Sequence, residues 1–114
     1  LAASDEIRQQ IVSRARRKEC RIHAFSDLRP CVWQPESVIN EHGFAFTSES
    51  AWNFVADCVE DGEALEELKL EHPPGEIAYV MKILLPDAHA RIYIKVQLLG
   101  NSILGRSFHY STES

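Results

Sequence analysis

No apolar run in this chain approaches membrane-spanning length, and no basic segment followed by an apolar one opens it. Both absences lead to the expectation of a cytoplasmic protein without membrane attachment. Cysteine is scarce: Cys20, Cys31 and Cys58 are odd in number and irregular in spacing. That pattern fits free thiols in a reducing compartment better than a disulfide framework. Cys20, His23 and Cys31 lack the paired spacing and the fourth ligand of a zinc site, so neither a metal nor another cofactor is expected. Low-complexity sequence is also missing, which favours a folded domain. Methionine does not stand first. Leu1 does, and a trimmed chain, a non-standard start and a segment of a longer protein all fit.

Basic residues are nearly absent from one stretch. Between residues 36 and 76, eleven acidic groups meet Lys69 alone, a local charge of −10. Residues 1–22 carry +3 and residues 77–114 carry +2, within a net charge of −5. Overall acidity argues against non-specific coating of nucleic acid. It leaves room for a local basic site built from the two ends of the chain.

What is present fits one domain over residues 1–114, large enough for a single core. Ser4, followed by Asp5 and Glu6, marks a helix start, and Ile7, Ile11, Val12 and Ala15 recur at helical spacing in a segment running to about Cys20. Arg14, Arg16, Arg17, Lys18 and Arg21 then form either a solvated complement to the helix C-terminus or a ridge facing phosphates. Phe25, Leu28, Val32, Trp33, Val38 and Ile39 are core candidates, with Pro30 and Pro35 breaking any long element. One helical turn is expected at Ser26–Arg29, and a short turn or strand from Pro35 to Ile39. A second helix is capped by Thr47 or Ser48 and stopped by Gly62, and Ala51, Trp52, Phe54, Val55, Cys58 and Val59 form its apolar face.

Ala64–Leu70 reads as a short helix or a strand, with Glu67–Leu70 assigned to a strand. His72-Pro73-Pro74-Gly75 is a turn, Ile77–Leu85 a central strand, and Pro86–His89 a second turn. From Arg91 the alternation is strict: Ile92, Ile94, Val96 and Leu98 share one face, and Tyr93, Lys95 and Gln97 the other. A three-residue loop, Gly100-Asn101-Ser102, pairs Lys95 with Ser107 and Tyr93 with His109, and sends Leu104, Phe108 and Tyr110 to the core. It also points Arg106 inward unless a bulge at Gly105 swings that residue to the open face. A two-residue turn reverses the second strand. The layout is α+β, with N-terminal helices on one face of a small antiparallel sheet.

With the last three strands adjacent, Lys82, Lys95 and His109 share a face, surrounded by Tyr79 or Tyr93, Gln97 and Arg106. RNA cleavage without a metal requires a proton acceptor for the 2′-hydroxyl, a proton donor for the leaving oxygen and cations for the phosphorane. His109 suits acid or base, Lys95 and Arg106 suit phosphate, and Tyr93 or Tyr110 suits base stacking. These assign His109, Lys95 and Arg106 to catalysis, and Lys82, Tyr93, Gln97, Ser107 and Tyr110 to substrate binding.

Ile92-Tyr93-Ile94-Lys95-Val96, a short turn, and Ser107-Phe108 followed by a polar residue resemble the closing hairpin of MqsR-type toxins. More broadly they resemble the RelE-like and colicin-type ribonuclease folds. The resemblance covers about a quarter of the chain and implies a sequence-selective, metal-independent endoribonuclease acting on RNA and neutralised by a protein antitoxin. Lys95, Ser107 and Phe108 occupy matching positions, and His109 stands where MqsR has lysine. The acidic middle departs from these usually basic toxins. The competing class is a non-catalytic acidic module, an immunity protein, inhibitor or nucleic-acid mimic using the surface from Glu36 to Glu76. Homo-oligomerisation stays open.

Overall fold

Ser4 and Thr47 start the two helices. The Ser4 hydroxyl accepts the Ile7 N–H, and α1 runs over Asp5–Arg16 with Asp5 and Glu6 in its first turn and Arg14 and Arg16 in its last. It ends there, short of Cys20, and a 3-10 turn follows over Lys18–Cys20. Thr47 and Ser50 form a reciprocal capping box for α2, Ser48–Glu60, which stops before Gly62 at φ 86°. Reciprocal capping satisfies two donors that the helix itself leaves unpaired.

The computed structural model describes residues 1–23, 27–85 and 90–111. Expected core residue Phe25, part of the turn at Ser26–Arg29 and the turn at 86–89 lie outside the described residues. Six strands form one sheet: β1 (Arg21–Ile22), β2 (Val32–Trp33), β3 (Glu66–Glu71), β4 (Pro74–Ile83), β5 (Ile92–Leu99) and β6 (Ser102–Tyr110). The spatial order is β1-β6-β5-β4-β3, and β2 also pairs with β6. The class is α+β, and the helices pack on the sheet. The sheet is mixed, not purely antiparallel, because the two-residue strands β1 and β2 lie parallel to β6 along its outer edge.

One core sits between helices and sheet. Ile11 and Ala15 of α1 meet Ala51, Trp52, Val55, Ala56 and Val59 of α2 over Met81, Ile83, Ile92, Ile94, Val96, Ile103 and Phe108. Val38 joins them, and Trp33 packs against the cluster. Leu28, Val32 and Ile39, expected in the core, are instead exposed (58%, 46% and 47%). They sit in short segments, where too few residues follow one another to generate a buried face.

Four arginines of the first 21 residues hold the layers together. Arg8 donates to the carbonyls of Val59 and Glu63 at the end of α2 (2.7 and 2.8 Å). Arg16 bonds Asp57 (2.6 Å) and Glu60, and Arg14 reaches the Ser102 carbonyl (2.9 Å). Arg21 closes the end of α1 through the Ala15 carbonyl and also bonds Glu49, both at 2.8 Å. Arg21 thus complements the end of α1, as one reading of the basic ridge expected, whereas the bonds of Arg14 and Arg16 to the protein's own carbonyls and carboxylates belong to neither reading.

Candidate functional site

The register of the closing hairpin decides what shares the sheet face opposite the helices. The turn has two residues, not three: Leu99 pairs with Ser102 across Gly100-Asn101. That alone would reverse β6. A β-bulge then restores it, since Lys95 pairs with Ser107 while Val96 pairs with Gly105, leaving Arg106 as the extra residue. Before the bulge, Ile103 faces the core opposite Leu98, and Leu104 lies on the reverse face opposite Gln97, contrary to expectation. Beyond it, Phe108 faces the core and Ser107 and His109 face away. Two one-residue shifts cancel, so the pairs Lys95–Ser107 and Tyr93–His109 arise by a different route from the expected one.

Gly105 fixes the bulge. A Cβ at this position would stand 2.5 Å from the Trp33 ring. Trp33 lies over the backbone there, stacks on Trp52 at 4.5 Å and meets Phe108 edge-on at 5.3 Å. Only glycine admits the indole that close.

Arg106 emerges on the reverse face and is 3% exposed. Its guanidinium donates to the Pro30 carbonyl (3.1 Å), the His72 carbonyl (2.9 Å) and Gln97 Oε1 (2.7 Å). Gln97, itself buried, donates to Glu76, and Arg29 grips both oxygens of Glu76 (3.0 and 2.6 Å). Hydrogen bonding to Arg29 and Gln97 holds the Glu76 carboxyl below the usual carboxylate range. This end of the face is a closed polar network. Arg106 and Gln97, assigned to phosphate and substrate, are enclosed within it, and Arg29 and Glu76 join from 47 residues apart in sequence.

The other end differs. Lys82, Tyr93 and His109 form one row across β4, β5 and β6, and Val80, Lys95 and Ser107 form the next. The Tyr93 and His109 rings stack at 5.5 Å with 21° between planes. His109 Nδ1 lies 2.8 Å from the Tyr110 carbonyl. A carbonyl only accepts, so Nδ1 carries the proton and Nε2 keeps its lone pair in the neutral ring. Lys95 is half-buried. Desolvation, reinforced by the Arg106 charge, lowers its pKa, with the Cys31 thiol acting in the opposite direction. Burial pushes the Cys31 thiol up against the pull of Arg106 and Lys95.

Tyr110 belongs to the other face: it pairs with the core residue Ile92, and its hydroxyl accepts the Ile39 N–H at 3.0 Å. Tyr79 is also on the helix side, opposite Val96. Of the residues named from sequence, Lys82, Tyr93, Lys95, Ser107 and His109 come together; Arg106 and Gln97 lie next to them but enclosed, and Tyr110 lies across the sheet. Cys31, whose thiol feels the Lys95 charge, was not among them, because it precedes a two-residue edge strand, Val32–Trp33, that leaves no periodic signal.

Comparison with family models, curated proteins and solved structures finds no match in any of the three. No helix is long and apolar enough to cross a membrane among the described residues.

Proposed function

We propose that the protein is a metal-independent endoribonuclease whose reacting groups are His109 and Lys95. The supporting observation is that an imidazole with its Nε2 lone pair available and a half-buried ammonium stand in neighbouring rows of one sheet face. His109 Nε2 takes the proton of the 2′-hydroxyl, and the 2′-oxygen attacks phosphorus. Lys95 offers positive charge to the phosphorane and a proton to the departing 5′-oxygen. Its lowered pKa makes the ammonium a better acid than an exposed lysine. The products are a 2′,3′-cyclic phosphate and a 5′-hydroxyl. Tyr93 offers a stacking surface, and Lys82 and Ser107 contacts to the backbone. Arg106 serves this site by its charge on Lys95 from its enclosed place next to that row, not by touching substrate.

A protein antitoxin of the kind the MqsR resemblance implies would inhibit by covering this row. The acidic-module reading has less support, since Glu49, Asp57, Glu60 and Glu76 are engaged by arginines of the same chain. The test is incubation of defined RNA with the protein in a chelator, followed by analysis of fragment ends. Cyclic-phosphate ends that vanish with His109→Ala support the reading. Intact RNA at high protein concentration removes it.

A further inference from the structure

A cleft of about 470 Å³ lies between α1 and the hairpin end of the sheet, at the opposite end of β5 from Tyr93. Ile7 of α1, Ile77 of β4, and Leu98 and Leu99 of β5 give it apolar walls. Tyr79 lines it as well, 7% exposed and packed in the core. Its hydroxyl has no hydrogen-bond partner among the described residues, and it is not sealed from the surface as the Trp33 and Trp52 indole N–H groups are. A phenol that buries its ring and leaves its hydroxyl unpaired forgoes a hydrogen bond, which an acceptor in the cleft restores. Burial and the Glu67 charge push its pKa up, so it stays protonated and able to donate.

A cation stands in the same walls. Arg14 donates to the Ser102 carbonyl (2.9 Å) and to Gln10 Oε1 (3.3 Å), which leaves further guanidinium N–H groups unspent. No carboxylate pairs with Arg14 among the described residues. Glu76, the acid of these walls, is already held by Arg29 and Gln97. An unpaired guanidinium and a phenol set among aliphatic side chains suit a planar anion joined to an apolar body. We infer that this cleft binds a small organic carboxylate, with Arg14 and the Tyr79 hydroxyl as its polar anchors and its apolar body along Ile7, Ile77, Leu98 and Leu99. The site is separate from the His109 row and does not depend on the ribonuclease reading.

The test titrates octanoate, at constant ionic strength, into the full chain labelled at isoleucine and leucine methyl groups. Saturable shifts of the Ile7, Ile77, Leu98 and Leu99 methyls are expected. Octanol, which has the tail without the charge, and acetate, which has the charge without the tail, should each bind about tenfold more weakly. Arg14→Met weakens octanoate about tenfold and Tyr79→Phe about threefold. Tyr79→Phe should leave the unfolding midpoint unchanged, because it breaks no bond within the protein. Should Arg14→Met fail to fold, Tyr79→Phe and the octanol comparison decide. Octanol binding as tightly as octanoate, affinities unchanged in both variants, or shifts that are absent or linear to high concentration overturn the inference.

Discussion

The two ends of one sheet face solve the same problem in opposite ways. At the Arg106 end, a buried cation meets three oxygen acceptors, and its neighbours Gln97, Glu76 and Arg29 bond one another in turn. At the His109 end, Lys95 is half-buried with no hydrogen bond among the described residues, and the imidazole uses one nitrogen and offers the other. Polar residue type is therefore a poor guide to role. Saturation separates them: a cation whose donors are spent is structural, and one whose donors are unspent can engage a ligand.

His109→Ala gives the sharpest contrast. It is expected to lower RNA cleavage by about 10²–10⁴-fold, the usual worth of a general base, while the unfolding midpoint stays nearly unchanged. Loss of stability instead of activity would merge the two ends into one structural face. Arg106→Ala should act first on stability, costing about 1–3 kcal/mol in chemical denaturation for each buried acceptor left unpaired among the Pro30 and His72 carbonyls and Gln97 Oε1. A smaller loss of cleavage should come from the missing charge near Lys95. Gly105→Ala is expected to cost about 1–3 kcal/mol by forcing Trp33 off the strand. It should also disturb the Tyr93–His109 stack, visible as a shift in the imidazole resonances.

The smallest effects are those of pH. The carboxyls of Glu49 and Glu76 sit below their ordinary range in the fold. Their contribution is complete above the ordinary carboxylate range and lost as pH falls through the lowered folded values. Glu76→Gln should therefore flatten the acid limb of a stability profile. Lys95 acts at the other extreme: its charged form is disfavoured in the fold, so stability rises as pH climbs from its lowered value toward the ordinary lysine value. Lys95→Met should remove that rise.

The two helices were legible because each carries its own start and its own apolar period, Ser4 with Ile7, Ile11 and Ala15, and Thr47 with Ala51, Trp52 and Val55. The alternation of β5 was equally plain. The strand after Ala64 extends one residue beyond each end of its expected span. The hairpin register was harder, because turn length and bulge trade against each other and only Gly105 hints at the second. Strands β1 and β2 left no trace, since two residues cannot show a period and their partner is the far edge of β6. The Arg29–Glu76 contact joins segments with no local signal in common.

Trp33 and Trp52 are the only tryptophans in the chain; Trp33 lies upon Gly105, and Trp52 stacks on Trp33. Two indoles that close couple through their strong far-ultraviolet transition, so circular dichroism in that region should carry a couplet specific to this stack. The bulge beneath them thereby comes with its own optical gauge: any event that slips the last strand by one residue, in a variant or a complex, should extinguish that couplet before the helices melt.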